Sequence, residues 1–143
     1  MTANVTLVRK IKASPAKVWA AITQPEQMLK WWGPDAGPTL RVDADVRPGG
    51  RFSVVFRTMD GIERNPTGIY REVVPEQRLV FTWDLPGAPA PETLVTFALR
   101  PIETGTELTL THQHLPDEAA RASHEKGWCG LLDKLPIFLG ETI

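Results

Sequence analysis

This sequence has only one cysteine, no excess of one charge and no basic run. Its one cysteine, Cys129, cannot form an internal disulfide. Sixteen Lys and Arg residues stand against 17 Asp and Glu residues, giving a net charge of −1, and the basic residues form no cluster. Because nucleic-acid binding needs a cationic stripe, we expect no nucleic-acid partner.

Long apolar runs are missing as well. No stretch approaches the roughly 20 residues of a membrane span, and the first residues lack the hydrophobic segment of a signal peptide. We therefore expect no membrane span and a cytoplasmic location. No repeat, low-complexity tract or long linker divides the 143 residues, so the sequence predicts a single domain over residues 1–143.

Strand-like alternation dominates the chain as far as His114. Apolar residues recur at every second position, which is typical of strands with one buried face. The predicted strands are residues 5–12, 40–45, 51–58, 67–74, 78–84, 93–100 and 106–114. Short turns between them, such as Asp60-Gly61, predict an antiparallel sheet, whereas residues 85–91 contain three prolines and are predicted to be a loop.

Three helices are also predicted. Ser14 can cap a first helix, Pro25 suits the first turn of a second, and Gly33-Pro34 would end that second helix. A third helix begins near Asp117, and Pro136 predicts a kink or a break in it, because proline lacks the backbone donor. Its apolar stripe consists of Trp128, Leu131, Leu132, Leu135 and Leu139. The predicted fold class is α+β, with the long helix across one face of the sheet.

Motifs spread over nearly the whole chain carry a family resemblance. They are Ser14-Pro15-x-x-Val18-Trp19, Trp31-Trp32-Gly33-Pro34, Arg47-Pro48-Gly49-Gly50, Gly68-x-Tyr70-x-Glu72, Arg78-Leu79-Val80-Phe81-Thr82-Trp83, Gly105-Thr106-Glu107-Leu108-Thr109-Leu110, His112 and Gly127-Trp128. This set resembles the activator of heat-shock protein 90 ATPase homologue family. The resemblance implies the helix-grip fold of the START and birch-pollen-allergen (SRPBCC) superfamily: a seven-stranded antiparallel sheet wrapped around a long C-terminal helix, with two short helices after strand one.

Large apolar side chains on the predicted inner faces are candidates for the lining of a ligand cavity. Ligand sites are mostly apolar with a few polar groups, although aromatic residues also fill cores. The candidates are Trp32, Phe52, Phe56, Tyr70, Phe81, Trp83, Val95, Phe97, Leu110, His112, Trp128, Leu132 and Leu135. We expect a small hydrophobic or aromatic molecule to bind between the sheet and the C-terminal helix. The superfamily resemblance, which includes binders of lipids and sterols, implies the same.

The polar residues indicate a function less clearly than the apolar ones do. His112 and His114 lie two apart on a strand and are predicted to share a face, with His112 hydrogen-bonded in the cavity and His114 near the exposed end of the strand. Zinc would need further ligands, so no metal is predicted. Glu72 could transfer protons if it faced inward with Tyr70, but an outward position is favoured. Cys129 is expected to be a small buried side chain.

No catalytic constellation is predicted, and no cofactor. The serines lack the strand–turn–helix elbow of a nucleophile, and no glycine loop could cradle a phosphate. Two alternatives to ligand binding stay open. One is a protein-interaction domain with a chaperone or another protein as its partner, and the other is a cyclase-like enzyme with Glu72 near His112.

Overall fold

The chain folds as a curled antiparallel sheet that holds a long C-terminal helix. A computed structural model describes residues 3–84 and 93–140, so the predicted loop at 85–91 lies outside the described residues. The strands of the described part are β1 Ala3–Ile11, β2 Thr39–Ala44, β3 Arg51–Arg57, β4 Glu63–Arg64, β5 Thr67–Val74, β6 Arg78–Trp83, β7 Thr93–Ile102 and β8 Gly105–Leu115. Its helices are α1 Pro15–Thr23, α2 Pro25–Trp31 and α3 Glu118–Phe138.

The order of strands across the sheet is β1-β8-β7-β6-β5-β3-β2, and every pair is antiparallel. The helices α1 and α2 carry the chain from β1 at one edge to β2 at the other. The predicted α+β class, the seven long strands and the two short helices after strand one are thus confirmed. Strand β4, which pairs with β3, was not predicted, because two residues carry no periodicity.

Local signals in the sequence set the starts of the helices. The Ser14 hydroxyl accepts a hydrogen bond from the backbone N–H of Lys17 at 3.3 Å, which caps α1 as predicted. The carboxylate of Asp117 caps α3 by accepting from the N–H of Ala120 at 2.8 Å. The indole Nε1–H of Trp31 donates to the carbonyl of Ala21 at 2.9 Å and ties α2 to α1.

Of the kink or break predicted at Pro136, the break is wrong, because α3 continues through this residue to Phe138. Pro136 removes one donor, so only the Leu132 carbonyl loses its helical partner. The next turn still closes, since the N–H of Leu139 donates to the Leu135 carbonyl at 3.0 Å. Phe138 also stacks on Trp31 with ring centroids 6.3 Å apart, and this contact helps to hold the last turn in place.

One face of the sheet is buried against α3, as the alternation predicts. The buried side chains of this face include Ile11, Phe52, Val54, Phe56, Leu79, Phe81, Trp83, Val95, Phe97, Leu99, Leu108 and Leu110. From α3 they meet Trp128, Leu131, Leu132 and Leu135, which are also buried. The apolar stripe of α3 and the inward-facing residues of the strands therefore form one core.

A β-bulge at Arg71 changes the face of β5. Tyr70 is buried in the core, whereas Glu72 turns to the solvent side and forms an ion pair with Arg78, Nε to Oε1 2.9 Å. The extra residue places Tyr70 and Glu72 on opposite faces. The favoured outward position of Glu72 is confirmed, and the apolar residues on both faces of the predicted strand are explained.

A second bulge at the end of β8 separates the two histidines. His112 is fully buried, whereas His114 has a positive φ of 70° and is exposed. The backbone N–H of His114 donates to the Asn4 side-chain oxygen at 3.2 Å. The predicted shared face is therefore wrong, because the bulge turns Leu115 inward in place of His114.

Candidate functional site

A cleft of about 290 Å³ lies between the middle of α3, the segment that follows α2, and the β3–β4 hairpin. It is partly open to solvent. Its lining residues are Trp32, Gly33, Pro34, Phe56, Thr58, Arg64, Trp83, Ser123, His124, Gly127, Trp128 and Leu131. Most of these are aromatic, aliphatic or glycine, and a few are polar, which is the composition of small-molecule sites.

Four of the residues predicted from sequence border this cleft: Trp32, Phe56, Trp83 and Trp128. The other candidates are buried side chains that do not line it: Phe52, Tyr70, Phe81, Val95, Phe97, Leu110, His112, Leu132 and Leu135. Burial also raises the pKa of the Tyr70 phenol far above its ordinary value, so that side chain stays neutral. That any of the thirteen contacts a ligand stays a prediction.

The aromatic side of the cleft is backed by further rings. Trp128 lies with its ring centroid 4.9 Å from that of Trp83 and 6.2 Å from that of Trp32. Behind them, Phe52 and Phe81 are 5.0 Å apart. Because close-packed rings leave little freedom to move, the tryptophans at the surface of the cleft are held in fixed orientations.

Two glycines of α3 let the segment after α2 come close to the helix. A Cβ on Gly127 would lie 3.5 Å from the Cβ of Pro34, which is ordinary contact. A Cβ on Gly130 would lie 1.9 Å from the Pro34 carbonyl oxygen, so no side chain fits there. The sequence contains no local signal that identifies Pro34 as the neighbour of these glycines.

Lys134 fixes the same segment from the next turn of α3. Its ammonium donates to the carbonyl of Asp35 at 2.6 Å and to that of Trp32 at 3.5 Å. Burial lowers the pKa of Lys134, and the nearby Asp35 carboxylate opposes this effect. The lysine therefore holds the backbone around Gly33 and Pro34 against the helix.

His112 lies behind the cleft at the centre of a buried hydrogen-bond chain. The Nε1–H of Trp128 donates to Nδ1 of His112 at 3.0 Å, so the ring hydrogen must be on Nε2. That hydrogen is donated to the Thr93 hydroxyl at 2.7 Å, and Thr93 in turn donates to the Trp83 carbonyl at 2.7 Å. His112 is hydrogen-bonded as predicted, and it orients Trp128.

Protonation of His112 is strongly disfavoured. Burial, with a smaller contribution from His124, lowers the pKa of His112 to about 3. The one lone pair of the neutral ring is already occupied by the indole N–H of Trp128. His112 therefore acts as a structural acceptor and has no lone pair free for general-base chemistry.

The polar groups of the cleft were not predicted from sequence. They are the guanidinium of Arg64, the hydroxyls of Thr58 and Ser123, and the ring of His124, whose Nδ1 donates to the Ala120 carbonyl at 2.8 Å. Trp83 adds a buried Nε1–H that has no hydrogen-bond partner among residues 3–84 and 93–140. Arg64 and Ser123 are exposed and follow no periodicity, so the pattern of the sequence gave no signal for them.

The remaining predictions of chemistry lie away from the cleft. Glu72 is on the outer surface of the sheet, so the inward acid required by the cyclase-like alternative is not present there. Cys129 is half-buried rather than buried, and the Arg9 side chain from β1 places its Nη2 3.7 Å from the sulfur. Within the described ranges, no group of three or more His, Cys, Asp or Glu residues is close enough to hold a metal ion.

Two further observations concern partners and membranes. Large apolar side chains are exposed in several separate elements of the described chain: Val8, Leu29, Leu40, Met59, Ile62, Ile69 and Ile137. A chaperone or other protein partner stays a prediction. Among the described helices, none has the length and apolar character needed to cross a membrane.

The architecture places this chain in the helix-grip class of proteins, in which a curled antiparallel sheet encloses one long C-terminal helix. The chain belongs to the family described as activator of Hsp90 ATPase homolog 1-like protein, whose family model matches residues 12–140. The motifs quoted above had indicated this family, and the prediction is confirmed. This fold, with its half-barrel sheet, is compatible with ligand binding.

Solved structures of bacterial proteins share the fold over almost their whole length. The AHSA1 protein from Silicibacter pomeroyi is 28% identical, with a TM-score of 0.87 and coverage of 99% of this chain and 100% of that one. A protein from Chromobacterium violaceum is 26% identical, with a TM-score of 0.87 and coverage of 95% and 96%. A protein from Mesorhizobium loti is 29% identical, with a TM-score of 0.80 and coverage of 99% of both chains. No curated protein matches this chain.

Proposed function

We propose that this protein binds a small, mainly apolar molecule in the cleft between α3 and the β3–β4 hairpin. One observation carries the proposal: Trp32, Trp83 and Trp128 border the same cleft, and the buried Nε1–H of Trp83 has no partner in the described chain. A buried donor without an acceptor costs roughly 1–3 kcal/mol. A ligand that brings an acceptor would remove this cost and cover the three indole rings.

The size of the cleft limits the ligand. An apolar cavity of about 150 Å³ is enough for benzene, and typical ligand pockets begin near 300 Å³. The cleft of about 290 Å³ therefore suits a molecule with one or two rings. Fatty acids and sterols, which the superfamily resemblance also implies, would extend from the open side into solvent.

The arrangement supports binding rather than a reaction. The lone pair of His112 is occupied by Trp128, and Ser123 has no hydrogen-bonded base in the part of the chain that the structure describes. Catalysis by a serine nucleophile requires such a base within hydrogen-bond reach. The groups at the cleft can orient a ligand through hydrogen bonds and ring contacts.

The test is a titration of the protein with one- and two-ring aromatic compounds, followed by tryptophan fluorescence and by calorimetry. Because three tryptophans border the cleft, binding should change the fluorescence with a stoichiometry of one. Gly127→Leu should abolish binding, since the new side chain starts 3.5 Å from Pro34 and projects into the cleft.

Ala122→Leu is the matched control, because Ala122 is exposed on the same helix and does not line the cleft. Circular dichroism at rising temperature verifies that both variants fold. If no compound of the panel binds, or if folded Gly127→Leu binds as well as the unchanged protein, the proposed function is wrong.

A further inference from the structure

The charge at the cleft has one sign. Arg64 is the lining residue with a permanent charge, and the described lining contains no Asp or Glu. Within residues 3–84 and 93–140, Arg64 forms no ion pair at 4 Å or less. Asp60, on the same hairpin, accepts a hydrogen bond from the Thr58 hydroxyl, and its carboxylate also attracts the Arg64 charge at longer range. Because the two side chains form no ion pair, the guanidinium at the edge of the cleft can still pair with a negatively charged group.

A second, independent observation concerns Trp83, which borders the cleft. The Trp83 side chain is nine-tenths buried, and its Nε1–H has no acceptor in the described chain. An indole N–H can only donate, so the group that satisfies it must present an oxygen or nitrogen acceptor.

We infer that the cleft is selective for small aromatic carboxylates. The ring of the ligand lies against Trp32 and Trp128, one carboxylate oxygen accepts from the Nε1–H of Trp83, and the negative charge is paired with the guanidinium of Arg64. This inference rests on the proposed binding function and adds the chemical class of the ligand. A carboxylate supplies, in one group, the acceptor that Trp83 lacks and the negative charge that Arg64 lacks.

Three compounds that differ only in the polar group provide the test: naphthalene-2-carboxylate, 2-naphthamide and the 2-naphthylmethylammonium ion. Their affinities are measured by calorimetry at pH 7.5 and low ionic strength. We expect the carboxylate to bind at least about threefold more tightly than the amide, as an exposed ion pair provides, and the ammonium compound to bind most weakly. The preference for the carboxylate should decrease as salt is added.

Variants separate the two contributions. Arg64→Gln should reduce the affinity for the carboxylate to that for the amide and leave the affinity for the amide unchanged. Trp83→Phe should weaken carboxylate and amide by a similar factor, because the indole N–H can donate to either. Arg47→Gln is the control with the same change in net charge, since Arg47 is exposed, pairs with Asp45 at 2.8 Å and does not line the cleft.

The outcomes distinguish this inference from the proposed function. If none of the three compounds binds, the proposed function fails, and the inference fails with it. If all three bind with equal affinity, or if Arg64→Gln keeps the preference for the carboxylate, the inference alone is overturned. If Trp83→Phe binds both compounds unchanged, the assigned role of the indole N–H is wrong.

Discussion

At the scale of single residues, the cleft depends on where α3 carries no side chain. Gly127 and Gly130 are three residues apart on the same helix, and both face Pro34. Only Gly130 lies too close to Pro34 for a Cβ. Alanine substitutions at the two positions therefore distinguish the effect of helix propensity on stability from the effect of packing on stability.

The substitution Gly127→Ala should stabilise the protein. Glycine in a helix interior costs about 1 kcal/mol relative to alanine, and the added methyl group would meet Pro34 at an ordinary distance. We expect the free energy of unfolding in urea to rise by up to about 1 kcal/mol. Gly130→Ala should lower it by about 1–3 kcal/mol, because the methyl group would overlap the Pro34 carbonyl. Shifts of the same sign in both variants would contradict this account.

His112 should make the stability depend on pH. Its pKa is lowered on folding from 6.5 to about 3, so below pH 6.5 the unfolded chain takes up a proton that the folded chain does not. The contribution of neutral His112 to the free energy of unfolding is complete above pH 6.5. It decreases as the pH falls from 6.5 toward 3, by at most about 1.4 kcal/mol per pH unit.

The variant His112→Gln tests this dependence. Its amide can accept from Trp128 and donate to Thr93 without titrating. Urea unfolding between pH 7.5 and 4 should give a shallower decline for the variant, whatever its stability at pH 7.5. Parallel curves for the two proteins would mean that His112 does not cause the acid sensitivity.

At the scale of elements, the contact between α3 and the segment after α2 sets the width of the cleft. Gly130 allows the approach, and Lys134 holds it with hydrogen bonds to the carbonyls of Trp32 and Asp35. Both contacts join parts of the chain that are far apart in sequence. Loss of either should therefore affect the cleft and the stability together.

We expect Lys134→Met to lower the free energy of unfolding by about 1–3 kcal/mol. The methionine keeps much of the aliphatic length but leaves the Asp35 carbonyl without its charged donor. Lys126→Met is the matched control, because Lys126 is exposed on the same helix and should change stability by less than about 0.5 kcal/mol. Urea unfolding of both variants is the measurement, and equal losses would argue against a specific role of Lys134.

At the scale of the whole molecule, ligand binding and folding should be linked. A ligand that binds only the folded chain adds about 2.7 kcal/mol of stability at a concentration of 100 times its Kd. With naphthalene-2-carboxylate, Tm should therefore rise steadily with the logarithm of the ligand concentration. In Gly127→Leu the Tm should not respond. A Tm that is independent of concentration in the unchanged protein would rule out binding to the folded state.

Much of this molecule follows from the sequence alone. The two-residue period in β3 and β6 determined which side chains face the core, because neighbouring side chains of a strand point to opposite faces. Ser14 and Asp117 capped the helices through contacts three residues away. These features depend on neighbours in sequence, so the local pattern contains them.

Only the tertiary structure decided which aromatic residues reach the cleft. The bulge at Arg71 and the bulge beside His114 change faces through pairing with another strand, which periodicity does not contain. Trp128 borders the cleft while Phe97 is buried behind it, because α3 lies across the sheet at a position set by Pro34 and Lys134. Arg64 and Trp83 thus border the same cleft as a result of long-range packing, and no short stretch of sequence specifies this arrangement.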